Sequence, residues 1–119
     1  MRTSLFVDPE PSQPPLAAEA GAERIEIYTG PYGACHSDKE AEKVELEKVV
    51  ATAEAAKAAG LMVNAGHDLT VENLPALIER VPYISEVSIG HGFTADALEH
   101  GFTQSVRRFR KALGEPVEL

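Results

Sequence analysis

The sequence predicts an α/β fold in which parallel (β/α) units form half of a TIM-type (β/α)8 barrel. Three observations carry that expectation. Four apolar runs of strand length alternate with segments of helical periodicity, the pattern of consecutive parallel βαβ units. Each run is apolar on one face only, whereas an open sheet with helices on both sides would be apolar on both. A Gly-His pair follows two successive strands, Gly66-His67 and Gly90-His91, at the end where barrel enzymes carry their chemistry. Four strands do not close a barrel, which takes eight strands and typically about 250 residues. Residues 1–119 are therefore expected to be a single C-terminal half-barrel domain whose N-terminal half is absent.

The first strand is Ser4-Leu-Phe-Val-Asp8, stopped by Pro9, Pro11, Pro14 and Pro15 and followed by a short helix ending at Gly21. Arg24-Ile-Glu-Ile-Tyr28 is the second strand, and Thr29 to His36 reads as a Gly/Pro loop, the longest candidate lid. A long helix opens at Ser37-Asp-Lys-Glu40, which has capping-box spacing, with Leu46, Val49, Val50, Ala53 and Ala56 on its apolar face and Gly60 at its stop. The third strand, Leu61 to Ala65, leads through Gly66-His67-Asp68 to a helix from about Val71 to Arg80. The fourth, Glu86 to Ile89, leads through Gly90-His91-Gly92 to a helix starting near Thr94 or Ala95. Leu98, Phe102, Val106, Phe109 and Leu113 recur along it at helical spacing.

Successive strand residues point to opposite faces. One face carries Leu5, Val7, Ile25, Ile27, Val63, Ala65, Val87 and Ile89, suited to packing under helices. The other carries Phe6, Asp8, Arg24, Glu26, Tyr28, Met62, Asn64, Glu86 and Ser88. This polar face is expected to point into the barrel.

Composition narrows the function classes. Nineteen Asp and Glu against eleven Lys and Arg leave a net charge of −8, which argues against nonspecific nucleic-acid binding. The one basic cluster, Arg107 to Lys111, closes the last helix, where cations complement the helix dipole. No apolar run approaches the roughly 20 residues that span a membrane, and no signal-peptide layout opens the chain. The single Cys35 has no internal disulfide partner, and a cytoplasmic location is expected.

Several residues are candidates for chemistry. Glu26 stands between Ile25 and Ile27 on the polar face, where a carboxylate is costly unless paired or used. An ion pair with Arg24 or a neighbouring strand accounts for it as well as a catalytic role does. His67 follows a strand end and suits proton transfer near neutral pH; a loop histidine hydrogen-bonded to a carboxylate such as Asp68 is the plain alternative. Backbone N–H groups at Gly90-His91-Gly92, ahead of a helix, suit a phosphate, with a simple glycine turn as the alternative. Asp8, Glu26, His67 and His91 lack His-x-His or His-x₃-His spacing, so no metal is expected. Sequence adjacency does not make Cys35 and His36 a nucleophile pair, and His100 belongs to the last helix. No lysine occupies an inward strand position, which disfavours a Schiff-base lysine.

Ser4-Leu-Phe-Val-Asp8, Arg24-Ile-Glu-Ile-Tyr-Thr-Gly30, Leu61-Met-Val-Asn-Ala-Gly-His67 and Val87-Ser-Ile-Gly-His91 together resemble the pyridoxine 5′-phosphate synthase family. The resemblance covers essentially the whole chain and the C-terminal half of that family's barrel. It implies vitamin B6 biosynthesis, by condensation of 1-deoxy-D-xylulose 5-phosphate with 3-amino-2-oxopropyl phosphate. Pyridoxine 5′-phosphate, inorganic phosphate and water are the products, and no metal or organic cofactor takes part. By motif, His67 resembles the family's proton donor and Glu26 its transition-state-stabilising carboxylate. Asp68, Gly90 and His91 fall at substrate- and phosphate-binding positions, with Asp68 standing where many members have glycine. The family's remaining acid/base groups belong to the other half, so this chain alone is expected to be inactive. It is expected to form a homo-oligomer or to pair with the missing half. The alternatives are a non-catalytic half-barrel that self-associates, or another phosphosugar-handling barrel enzyme.

Overall fold

The computed structural model describes residues 3–119, which form four strands and six helices. Strands β1 (Ser4–Val7), β2 (Arg24–Tyr28), β3 (Met62–Gly66) and β4 (Ile84–Ser88) alternate with α1 (Gln13–Glu19), α2 (Gly30–Ala34), α3 (Lys39–Ala58), α4 (Leu74–Arg80), α5 (His91–His100) and α6 (Phe102–Ala112). All pairings are parallel, and the spatial order β1-β2-β3-β4 repeats the chain order. A sheet that advances one strand at a time through crossovers of one hand keeps its helices on one side. This is the wall of a (β/α) barrel, with half the strands of a closed one.

The period-two pattern sorts the side chains as expected. On the helix side Ile25, Ile27, Val63 and Ala65 are no more than 1% exposed. They are covered by Leu46, Val49, Val50, Ala53 and Ala56 of α3 and by Leu74 and Leu77 of α4. Leu5 lies on the edge strand β1 and stays half exposed, because nothing covers that edge among the described residues. On the opposite face Phe6 and Met62 are exposed alongside Glu86 and Ser88. Phe6, Glu26, Asn64 and Glu86 stand in one register row, and Tyr28, Gly66 and Ser88 in the next.

The structure corrects four local expectations. Thr29 to His36 is not an open loop, since α2 occupies Gly30–Ala34. Pro31 in its first turn costs no helical hydrogen bond, and buried Tyr32 donates its hydroxyl to the Asn73 carbonyl at 2.6 Å. Burial, with the nearby Glu42 charge adding to it, pushes that phenol up to about 12. The cap of α3 is Asp38 rather than Ser37. Its Oδ1 accepts from the Ala41 N–H at 3.2 Å, where a carboxylate also complements the helix dipole.

Helix α4 starts at Leu74, later than expected, because Thr70 and Asn73 close a turn ahead of it. The Thr70 N–H donates to Asn73 Oδ1 at 2.8 Å, and the Asn73 N–H to Thr70 Oγ1 at 3.2 Å. The last helix begins earlier, at His91, and is two helices broken at Gly101, whose φ is +84°. The break divides the expected apolar stripe. Phe109 is buried, but Leu98 and Phe102 are 86% and 70% exposed. Asp96 ties the two helices together, accepting from Ser105 Oγ at 2.6 Å and Arg108 Nε at 3.1 Å. Burial pushes the Asp96 carboxyl up, yet the hydrogen bonds from Arg108 and Ser105 prevail and hold it below its ordinary value. Among the described residues no helix is long and apolar enough to cross a membrane.

Candidate active site

The site forms where β3 and β4 end, because both strands stop at a glycine followed by a histidine. His67 and Asp68 leave β3, Gly90 and His91 follow β4, and all four line one open cleft of about 520 Å³ together with Ser88 and Thr94. The structure thus brings together four of the five residues singled out from the sequence. The fifth, Glu26, lies beside them on β2.

Glu26 owes its place to Gly66. A side chain at Gly66 would put its Cβ 2.8 Å from Glu26 Oε2, so glycine alone leaves room for the carboxylate to lie across β3. From there Glu26 Oε1 accepts from Ser88 Oγ on β4 at 3.2 Å. The ion pair with Arg24, one of the two readings left open by the sequence, is not formed. Arg24 is buried lower on the same face, where Nη1 reaches Glu86 Oε1 at 3.4 Å and Asn64 Oδ1 at 3.5 Å. Glu26 is therefore left with a neutral partner, its charge uncompensated within the sheet.

His67 is exposed toward the cleft and rests edge-on against two rings. Its centroid is 5.1 Å from Tyr28 and 5.4 Å from Phe6, at steep interplanar angles. Edge-to-face packing of this kind stabilises by about 0.5–1.5 kcal/mol and fixes ring orientation. The backbone here is unusual, with φ of +94° at His67 and +56° at Asp68. Neighbouring elements grip the segment. Asn73 Nδ2 donates to the Asp68 carbonyl at 3.0 Å. Gly33 of α2 packs so closely that a Cβ there would meet the Asp68 carbonyl oxygen at 2.3 Å.

At the end of β4, Gly90 is the N-cap of α5 and brings no capping side chain. The first intrahelical bond runs from the Thr94 N–H to the Gly90 carbonyl at 2.9 Å, so the preceding first-turn N–H groups are left for a ligand or solvent. Gly92 lets this turn seat on the neighbouring loop, where a Cβ would lie 2.3 Å from the Leu69 carbonyl oxygen. A ten-residue helix starting at the cleft also directs the positive end of its dipole there. The earlier start of α5 thus moves the Gly-His-Gly turn from ahead of the helix into its first turn.

The remaining histidines stand apart. His36 Nδ1 is 3.0 Å from Glu42 Oε2, and His100 lies near Asp96 and Glu99 at the end of α5. Among the described residues no three His, Cys, Asp or Glu side chains are grouped as metal ligands would be. Sequence reasoning missed Thr29, Gly33 and Asn73, which hold the His67 segment; only the tight spacing of glycines after β2 hinted at a close approach there.

Comparison with known proteins identifies a family. Residues 1–115 match the family described as pyridoxal phosphate biosynthesis protein PdxJ. The chain is 60% identical over 117 residues to a pyridoxine 5′-phosphate synthase of Rhizobium meliloti, covering 96% of this chain and 46% of that protein. It is 59% identical over 113 residues to the synthase of Mesorhizobium japonicum, covering 95% and 46%. For the synthase of Agrobacterium fabrum the identity is 56% over 117 residues, covering 97% and 47%. The chain therefore spans about half the length of the curated relatives it matches.

Proposed function

We propose, for a chain that belongs to the PdxJ family of pyridoxal phosphate biosynthesis proteins, that it forms the C-terminal half of a pyridoxine 5′-phosphate synthase barrel. The reaction would join 1-deoxy-D-xylulose 5-phosphate to 3-amino-2-oxopropyl phosphate, giving pyridoxine 5′-phosphate, inorganic phosphate and water. The observation that carries this reading is the convergence of His67, Asp68, Gly90 and His91 on one cleft, with the Glu26 carboxylate beside it.

Each group suits one demand of the chemistry. Condensing an amine with a ketone and closing an aromatic ring requires hydroxyl groups to leave as water, and each departure needs a proton. His67, exposed to the cleft and braced by Phe6 and Tyr28, is the donor. The imine formed along the way is cationic when protonated, and the uncompensated Glu26 carboxylate stabilises that charge. Both substrates carry phosphate, which the first-turn N–H groups of α5 at Gly90, His91 and Gly92 would hold. Asp68 borders the same cleft and contacts substrate.

A second proposal concerns partners. Among the described residues β1 and β4 each leave one edge unpaired, and the polar face lies open between them. Unpaired strand edges recruit other strands, and four further β/α units would close the wall to eight. We take those units as the partner, in preference to a second copy of this chain.

Reconstitution tests both. Combined with the remaining half of a relative's barrel, the chain should support pyridoxine 5′-phosphate synthesis; alone it should show none. Turnover by the chain alone, or none from the folded reconstituted barrel, would overturn the reading. Inorganic phosphate at millimolar concentration should shift the amide resonances of Gly90 to Phe93 in the reconstituted barrel, with binding that weakens as salt rises. Unmoved amides would remove the phosphate assignment. Sedimentation of the chain mixed with that remaining half, with the two running as separate species at micromolar concentration, would count against the partner.

A further inference from the structure

We infer that Thr29 is a positioning residue for His67, its hydroxyl holding that histidine's backbone in the conformation that turns the imidazole into the cleft. The structural half of this inference stands by itself; its consequence for turnover rests on the proposed function.

Thr29 follows β2 as the N-cap of α2 and is completely buried. It reaches across to the end of β3 by two groups. Its N–H donates to the Gly66 carbonyl at 2.9 Å, and its Oγ1 lies 2.7 Å from both the Gly66 and the His67 carbonyl oxygens. One hydroxyl proton is thus shared between the carbonyls on either side of the His67 nitrogen–Cα segment. On its other side, the Thr29 carbonyl accepts from the Gly33 N–H at 2.9 Å, which anchors the threonine to α2.

The placement matters because of what it holds. His67 and Asp68 are successive residues with a Cβ, and both adopt the left-handed region that favours glycine. Such a conformation persists only where its surroundings over-determine it. If His67 relaxed to a negative φ, its Cβ would swing and the ring would leave Tyr28 and Phe6. The hydroxyl acts on the peptide of the histidine itself, so it sets the direction of the side chain and not merely the packing nearby. Contacts with the two rings are the competing explanation; if they alone held the histidine, they would survive removal of the hydroxyl.

Thr29→Val, which keeps the shape and deletes the hydroxyl, separates the two explanations, with Thr29→Ser as the conservative control. By NMR on the chain itself, Thr29→Val should keep the dispersed strand amides but lose the cross-peaks between the His67 ring and the Phe6 and Tyr28 rings. Thr29→Ser should retain them. Full retention in Thr29→Val, or equal loss in Thr29→Ser, would overturn the inference. If Thr29→Val does not fold, the wild-type hydroxyl proton decides. Slow exchange with solvent supports the inference, and exchange as fast as that of an exposed threonine overturns it. In the reconstituted barrel Thr29→Val should lower kcat by about a hundredfold, the loss that an ångström of misplacement produces, with KM near wild type and recovery in Thr29→Ser. A barrel that makes no product while the cross-peaks behave as expected would refute the proposed reaction and leave the positioning role intact.

Discussion

On the helix side of the sheet, Ile25, Ile27, Val63 and Ala65 are sealed beneath α3 and α4. One residue along on the same strands, Glu26, Tyr28 and Gly66 face the open side, where the nearest partners are a serine hydroxyl and two aromatic rings. Alternation along a strand has thus separated two tasks that share one backbone. The closed face supplies the apolar burial that offsets chain entropy. Among the described residues the open face keeps a carboxylate without a counter-ion and a histidine at positive φ, both of which destabilise a fold. The two faces should accordingly fail in different ways when they are altered.

The largest effect belongs to the closed face. Leu77 is fully buried in the core, and Leu77→Ala should cost about 2–5 kcal/mol in the urea unfolding equilibrium. The amide resonances of Gly66 to Asp68 should stay in place in the molecules that remain folded. Movement of those resonances would show that the faces are coupled.

His67→Asn reverses the pattern. In the reconstituted barrel it should lower kcat by about a hundredfold or more, the loss expected for a general acid, while the unfolding midpoint scarcely changes. A wild-type rate would end the role assigned to His67. Glu26→Gln should lower kcat by about tenfold or more without unfolding the protein, through loss of charge stabilisation. Gly66→Ala offers an independent route to the same end, because its Cβ would displace the Glu26 carboxylate from 2.8 Å. If Gly66→Ala kept full activity, the position of the carboxylate over β3 would be irrelevant to turnover.

Much of this division was legible in the sequence. Period-two alternation placed β2 at Arg24–Tyr28 and sorted its residues to the correct faces, and the Gly-His pairs marked the cleft. Three features were not legible, each for a physical reason. A five-residue helix such as α2 is too short to show periodicity, and its stability comes from Tyr32 reaching Asn73, 41 residues away. The break at Gly101 looks locally like a tolerated helical glycine, so one helix was expected where two occur. Glu26 had a nearby arginine in sequence, but its partner is Ser88 on β4, 62 residues on, while Arg24 is taken by Asn64 and Glu86. The sequence shows which groups share a face; which of them pair across strands depends on register.

The smallest effect tests whether the open face gives up stability for function at Asp68. With φ at +56°, an L-residue carries a steric cost of about 1–2 kcal/mol that glycine escapes. Glycine loses about 0.5–1 kcal/mol more chain freedom on folding, so Asp68→Gly should raise the unfolding free energy by no more than about 1.5 kcal/mol. The bond from the Asn73 side-chain amide to the residue 68 carbonyl survives the change, since at residue 68 it uses only the backbone. What is lost is a negative charge on the wall of the cleft shared with Gly90 and His91. An anion at the start of α5 should therefore bind more tightly to Asp68→Gly, by about a few-fold at low salt and less as ionic strength rises. Phosphate titration of the reconstituted barrel reads the affinity, and urea unfolding reads the stability. A gain in both identifies Asp68 as a residue kept against stability and against phosphate alike, which leaves contact with another part of the substrate as its task. Loss of phosphate affinity would show instead that the carboxylate orders the turn, and would place Asp68 with the structural residues of the closed face.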